Sequence, residues 1–303
     1  MNSMIKFTLG FLAAAVLAIG AYFYLTPRQA APPQPDTASE NSLAGTTATN
    51  TQPVADSTKT VIGTSVKGNE IVAYHFGEGS KNVLFVGGIH GGYEWNTALL
   101  AYEIMDELKK NPNIIPTGVR VTIIPVLNPD GLAIVAGTSS RFAASDVSTS
   151  KSVQVSGRFN ANTVDLNRNF DCDWKEAGTW QNTRVSGGKS AFSEPESIAM
   201  KSYIESLKPD AVVVWYSAAG GVYSSSCHDG VLPQTSALTA LYAKAASYPA
   251  HEVFNYYDIT GDMVNWLAKI KIPAISVLLT NHTDIELSKN RAGVQAVLEY
   301  ISK

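Results

Sequence analysis

Two stretches of this 303-residue chain carry side chains whose types and spacing suit chemistry. The first is Gly87-Gly88-Ile89-His90-Gly91-Gly92-Tyr93-Glu94, where an apolar run gives way to a helical pattern. An imidazole and a carboxylate converging from such a junction suit zinc, which accepts both ligand types. The competing reading is a loop histidine beside a glutamate favoured at a helix start by the helix dipole. The second is Arg158 to Phe170, Arg-Phe-Asn-Ala-Asn-Thr-Val-Asp-Leu-Asn-Arg-Asn-Phe, with no helical or strand period. Its two guanidinium forks suit a carboxylate, and its amides add neutral donors, although a solvated loop with ordinary ion pairs has the same composition.

The remaining candidates are few. The histidines are His75, His90, His228, His251 and His282, and the two cysteines, Cys172 and Cys227, exclude a four-thiolate zinc module. Cys227-His228-Asp229 contains the residue types of a thiol triad, but three adjacent residues cannot converge as one. In an oxidising compartment the two cysteines are expected to pair, closing a loop with 54 residues between them.

Alternating elements must position these groups. Ile71–Phe76, Val83–Ile89, Val119–Val126, Ala211–Tyr216 and Ile275–Thr280 read as strands, most of them continuous apolar runs of the buried kind. Trp95–Lys110 has helical spacing and is stopped by Asn111-Pro112; Asn290–Ser302 reads as a closing helix. Asn128-Pro129-Asp130-Gly131 reads as a turn, and Ser193 to Glu196 as a capping box. Buried strands alternating with helices predict a single α/β domain with a mixed, largely parallel central sheet flanked by helices.

The ordered set Gly-Gly-Ile-His90 with Glu94, Asn128-Pro-Asp-Gly131 and Asp165-Leu-Asn-Arg-Asn-Phe170 resembles the zinc carboxypeptidases of the carboxypeptidase A type. Tyr257 and the stretch Gly261-Asp-Met-Val-Asn265-Trp266 resemble that family's tyrosine-bearing lid and the segment behind it. The resemblance covers about residues 60–303. It implies one zinc ion held by His90 and Glu94, a substrate carboxylate held by Asn167 and Arg168, and Tyr257 closing over a bound peptide. Arg158 would polarise the scissile carbonyl, with Arg141 the weaker candidate. The water activated by zinc would attack that carbonyl with a glutamate as general base.

Three departures stand out. The first ligands are separated by three residues where the family has two, an extra residue that the glycines can absorb. Tyr216 stands where the family's third ligand, a histidine, ends a buried strand. The catalytic glutamate falls at Leu278 or Leu279. His228 or His282 could substitute as ligand, and Asp284 or Glu286 as carboxylate. The general base is therefore unassigned and activity is left open.

The other segments set the context. Residues 1–6 read as a cytoplasmic tail, and 7–25 as an uncharged transmembrane signal anchor, a cleaved signal peptide being the alternative. Residues 26–60, with five prolines and no aromatic residue, read as a disordered linker, and 61–303 as the domain. A net charge of −3 with only 16% charged residues excludes a nucleic-acid-binding protein driven by bulk charge. The expected protein is a membrane-anchored, extracytoplasmic metallocarboxypeptidase acting on peptides with a free C-terminal carboxylate, cell-wall peptides among them. The alternatives are a catalytically impaired peptide-binding relative that keeps the carboxylate clamp, and an amide hydrolase resembling the aspartoacylases. Met263 and Val264 hint at an apolar or uncharged terminal side chain.

Overall fold

The computed structural model describes residues 58–303. The first half runs β1 (Lys59–Thr64), β2 (Glu70–Phe76), β3 (Lys81–Val86), α1 (Trp95–Lys110), β4 (Val119–Ile124), α2 (Pro129–Ala136), α3 (Lys151–Ser156), β5 (Ala177–Trp180) and β6 (Thr183–Ser186). The second runs α4 (Pro195–Leu207), β7 (Ala211–Ser217), β8 (Gly221–Ser224), α5 (Pro233–Ala246), β9 (Ala250–His251), α6 (Met263–Lys269), β10 (Ala274–Leu279) and α7 (Leu287–Ile301).

Eight strands form one sheet in the order β1-β2-β4-β3-β7-β10-β8-β9, with β5 and β6 in a separate hairpin. The inner pairs β4-β3, β3-β7 and β7-β10 are parallel, while β1-β2, β2-β4 and β10-β8 are antiparallel. The sheet is thus mixed, as the alternation of strands and helices predicts.

Side chains alternate between the two faces, as the strand period requires. Val83, Phe85, Val213, Trp215, Val277 and Leu279 pack with residues of α1, α5 and α7. Leu84, Val86, Val212, Val214, Tyr216 and Leu278 pack with residues of α4 and α6 and with Leu166 and Phe170. Burial on both faces explains why the central strands are unbroken apolar runs. One chain of polar groups inside this core is paired throughout: Trp215 Nε1 donates to Tyr242 Oη (3.1 Å), which donates to Asn290 Oδ1 (2.8 Å).

Local outcomes differ from expectation in definable ways. The linker assignment to residue 60 is two residues too long, because Lys59 and Thr60 already pair with Tyr74 and Ala73. Asn128-Pro129-Asp130-Gly131 opens α2 instead of only turning, with Asn128 Oδ1 accepting from Gly131 N (2.9 Å) and Pro129 in the first turn, where its missing N–H costs nothing. No capping box forms at α4: Ser193 Oγ donates to Glu194 Oε1 (2.8 Å), and Glu194 itself is the cap residue. The closing helix starts at Leu287, three residues before Asn290. Among the described residues no helix is long and apolar enough to cross a membrane; the anchor read at 7–25 lies outside them, as do the tail and most of the linker.

Candidate functional site

The C-terminal ends of β3, β7 and β10 point to one side of the sheet, where open α/β sheets place their sites. A cavity of about 610 Å³ opens there, and His90, Glu94, Arg158, Asn167, Arg168, Tyr216, Tyr257, Leu278 and His282 all line it. Two segments remote in sequence and two strand ends therefore converge.

His90 follows β3, and Gly91–Glu94 forms a tight 3-10 turn into α1. Gly91 has φ +47°, and a Cβ there would lie 2.6 Å from Gly157 O and 2.9 Å from the Gly131 backbone, so only glycine fits. This turn absorbs the extra residue: His90 Nδ1 stands 2.9 Å from Glu94 Oε1. Both groups are buried, and His90 Nδ1 and Nε2 and Glu94 Oε2 have no hydrogen-bond partner. Such a pair facing each other without a hydrogen bond is a fit for two of a zinc ion's donors.

Asp165 is a component that the residue pattern did not single out. Its Oδ1 lies 3.4 Å from His90 Nε2, and its Oδ2 accepts from Arg158 Nε (3.0 Å) and Nη2 (2.8 Å). A carboxylate behind a ligand imidazole orients the ring. Burial would raise the Asp165 carboxyl, but Arg158, with His90 and Arg168, holds it far below the usual carboxylate range. The signal was present in the run Asp165 to Phe170, yet nothing in a row of polar residues says which neighbour each one meets.

Arg158 spends one edge on Asp165 and lies 4.3 Å from the Trp180 ring, with Nη1 3.8 Å from Glu94 Oε1. Arg141 is not at the site. It forms an exposed ion pair with Asp106 on the outside of α1.

The proposed clamp has a distinct character. Arg168 is 1% exposed and donates to the main-chain oxygens of Asn167 (2.7 Å) and Thr179 (2.7 Å). Its Nε has no partner, and no carboxylate of the described residues forms an ion pair with it. Asn167 Oδ1 accepts from Met263 N (3.1 Å) and Tyr216 Oη (3.2 Å), which leaves its Nδ2 as the free donor. The Tyr257 ring centre is 5.8 Å from the Arg168 guanidinium carbon. A buried unpaired cation is costly, and an incoming carboxylate supplies what it lacks.

The positions where the resemblance implies a third ligand and a general base carry other residues. Tyr216 and Leu278 are neighbours in the β7-β10 register and share the cavity face, whereas Leu279 points into the opposite core. Of the two residues that the resemblance offered for the glutamate, Leu278 therefore faces the cavity and Leu279 does not. The Tyr216 phenol is committed to Asn167, and burial, with Asp262 and Glu94 nearby, pushes its pKa up, so it stays neutral. No third imidazole, thiol or carboxylate of the described residues joins His90 and Glu94 within 4.8 Å. Two zinc donors fit, but the set does not complete a catalytic zinc site, which takes three protein ligands.

The substitutes fail on position, with one exception. His228 is exposed and pairs with Asp173 (3.1 Å). It lies beside Cys172 and Cys227, but these are disulfide-bonded with Cα atoms 6.2 Å apart, so their sulfurs are not thiolate ligands. Glu286 is tied to Thr280, Tyr248 and Lys289, and Asp284 caps the following loop. Only His282 reaches the cavity. Met263 is fully buried in the core and does not line it, so of the two apolar residues expected there only Val264 does. Asp262 also lines it; burial raises its carboxyl to about 6, and its Oδ1 has no partner.

Comparison with known proteins agrees with this geometry. The profile of the zinc carboxypeptidase family matches residues 46–277. A zinc carboxypeptidase of Simulium vittatum is 32% identical over 154 residues, 48% of either chain, so this chain spans about half the length of that relative. Bovine thrombin-activatable fibrinolysis inhibitor shares the fold at TM-score 0.62 and 17% identity, over 80% of this chain and 88% of that one. Murein-tripeptide amidase MpaA from Escherichia coli O157 does so at TM-score 0.55 and 18% identity, over 81% and 92%. By the extent of the family match, with His90, Glu94 and Arg168 gathered in one cavity, this chain belongs to the zinc carboxypeptidase family.

Proposed function

We propose that the protein binds peptides through their free C-terminal carboxylate, and that hydrolysis in this member of the family is absent or residual. One observation carries the reading: among the described residues the buried Arg168 forms no ion pair, and its Nε has no partner. Tyr216 and Leu278 line the same cavity where the resemblance would put a ligand histidine and a catalytic glutamate, which supports it. A carboxylate would meet the free hydrogens of Arg168 and Asn167 Nδ2, and Tyr257 would pack over it. The chemistry that zinc supplies in the family is water activation, for which His90 and Glu94 alone make an incomplete holder. Their unpartnered atoms favour, as a second reading, slow zinc-dependent trimming of C-terminal residues.

The stretch 7–25 would tether the domain to a membrane with the cavity on the extracytoplasmic side, where cell-wall peptides are a suitable ligand class. The murein-tripeptide amidase among the structural neighbours agrees with that class. The test is calorimetry with matched peptide acids and amides, together with zinc analysis and a peptidase assay of the same preparation. Acid-selective binding without turnover is expected. Rapid turnover by the unmodified protein would overturn the reading.

A further inference from the structure

The hydrogen bonds around Ser217 fix a proton on His282. Asn96, buried at the start of α1, donates from Nδ2 to the main-chain oxygens of Asn281 (2.8 Å) and Asp284 (3.0 Å). Those two carbonyls orient the amide, so Asn96 Oδ1 is an acceptor. Ser217 Oγ, at the end of β7, donates to it at 3.1 Å. A hydroxyl has one proton to give. The 2.9 Å contact between Ser217 Oγ and His282 Nδ1 must then be donated by the imidazole. His282 therefore carries its proton on Nδ1 and presents Nε2 as a bare acceptor. Among the described residues Nε2 has no hydrogen-bond partner, and the ring lines the cavity with its centre 4.7 Å from that of Tyr93. Burial lowers the imidazole pKa, Glu94 opposes the shift, and Lys151, His90 and Arg158 add to it, so the ring is neutral at pH 7.5.

The geometry points to His282 as a specificity-determining residue whose Nε2 accepts a hydrogen bond from a backbone N–H of the bound peptide. This rests on the cavity being the peptide site. A peptide held by Arg158, Arg168 and Asn167 has donors for its oxygens, but its own N–H groups also need acceptors once water is excluded. Asp165 is engaged by Arg158, and the unpartnered oxygens Glu94 Oε2 and Asp262 Oδ1 are sealed from solvent. His282 is a neutral acceptor open to the cavity, and the Asn96–Ser217 relay holds it in the tautomer whose Nε2 can accept.

Two measurements test this. A tetrapeptide acid is methylated at each backbone nitrogen in turn, and its affinity is measured by calorimetry for the wild type and for His282→Phe, which keeps a ring but removes the acceptor. At one position methylation should weaken wild-type binding about three- to tenfold and leave His282→Phe unaffected. No coupling at any position, or no binding of any of the peptides, overturns the proposal. Separately, 15N spectra of the imidazole should show Nδ1–H in the wild type and a shift toward Nε2–H in Ser217→Ala; Nε2–H in the wild type overturns it. Equal affinity for the parent acid and its amide would refute the clamp instead, and leaves the methyl-scan coupling to decide on His282.

Discussion

Replacing Arg168 by Ala isolates the carboxylate contact. The side chain offers five N–H donors and spends two on main-chain oxygens, so an incoming carboxylate meets a prearranged and otherwise unpaired cation. A charge-assisted hydrogen bond of this kind contributes about 1.5–3 kcal/mol, which corresponds to a roughly ten- to hundredfold loss of affinity for a peptide acid. The same substitution leaves the oxygens of Asn167 and Thr179 without donors, at about 1–3 kcal/mol each where buried. Removing an unpaired buried charge offsets part of that cost. Thermal unfolding must therefore accompany calorimetry. Arg168→Lys keeps the charge and loses the fork, and it should fall between wild type and Ala. The amide form of the peptide should bind poorly to wild type and respond little to either substitution. Equal binding of acid and amide by a folded wild type, or an unchanged acid affinity in folded Arg168→Ala, would refute the reasoning.

Further outcomes are expected. Purified wild type, loaded with zinc and dialysed, should retain less than about a tenth of an equivalent by elemental analysis, because two ligands hold the ion weakly; Tyr216→His combined with Leu278→Glu should raise both retention and peptide hydrolysis. The Asp262 carboxyl, raised to about 6 in the folded state, favours folding fully below its unfolded value near 3.8 and loses that contribution as pH rises through about 6. Asp262→Asn keeps a capping side chain on α6 and should gain up to about 3 kcal/mol at pH 7.5 but almost nothing at pH 3.5, read by urea unfolding. Replacing both Cys172 and Cys227 by Ser should cost about 2–5 kcal/mol on the same measurement, and reductant should then have no further effect.

Much of the frame was legible because its signals are local and periodic. The helix Trp95–Lys110 carries its apolar stripe and its Asn-Pro stop, and the structure ends it there. The buried strands stood out as apolar runs, but β5, β6, β8 and β9 have four residues or fewer, too short for a period to register. Strands β3 and β4 end at Val86 and Ile124, short of the Ile89 and Val126 that the apolar runs predict, since apolar side chains continue where the chain has already left the sheet for the site. The residues gathered in the cavity followed from ordered motifs, whereas their pairings did not. Arg158 on Asp165, Tyr216 on Asn167 and the relay from Asn96 to His282 are contacts across 7 to 121 residues, settled only by register and packing. Choosing Leu278 over Leu279 likewise needed the alignment of β10 with β7.

The segment that carries Arg168 is joined to the loop before α6 by two reciprocal main-chain bonds, Phe170 N to Gly261 O (2.8 Å) and Gly261 N to Cys172 O (2.7 Å). The Cys172–Cys227 bridge then ties it to the chain beside Ser226, whose N–H is held by Asn265 Oδ1 (2.9 Å). Gly261 meets Arg168 O so closely that a Cβ there would lie 2.5 Å away. Carboxylate anchor and cavity floor are thus one body, assembled before any ligand arrives. Little ordering entropy remains for the ligand to offset at that end, so its association should be limited by encounter and its lifetime by the contacts it breaks on leaving. The amides of Phe170 and Gly261 should exchange with solvent only through openings large enough to undo three segments together, which makes them reporters of the whole domain's stability and not of the cavity's occupancy.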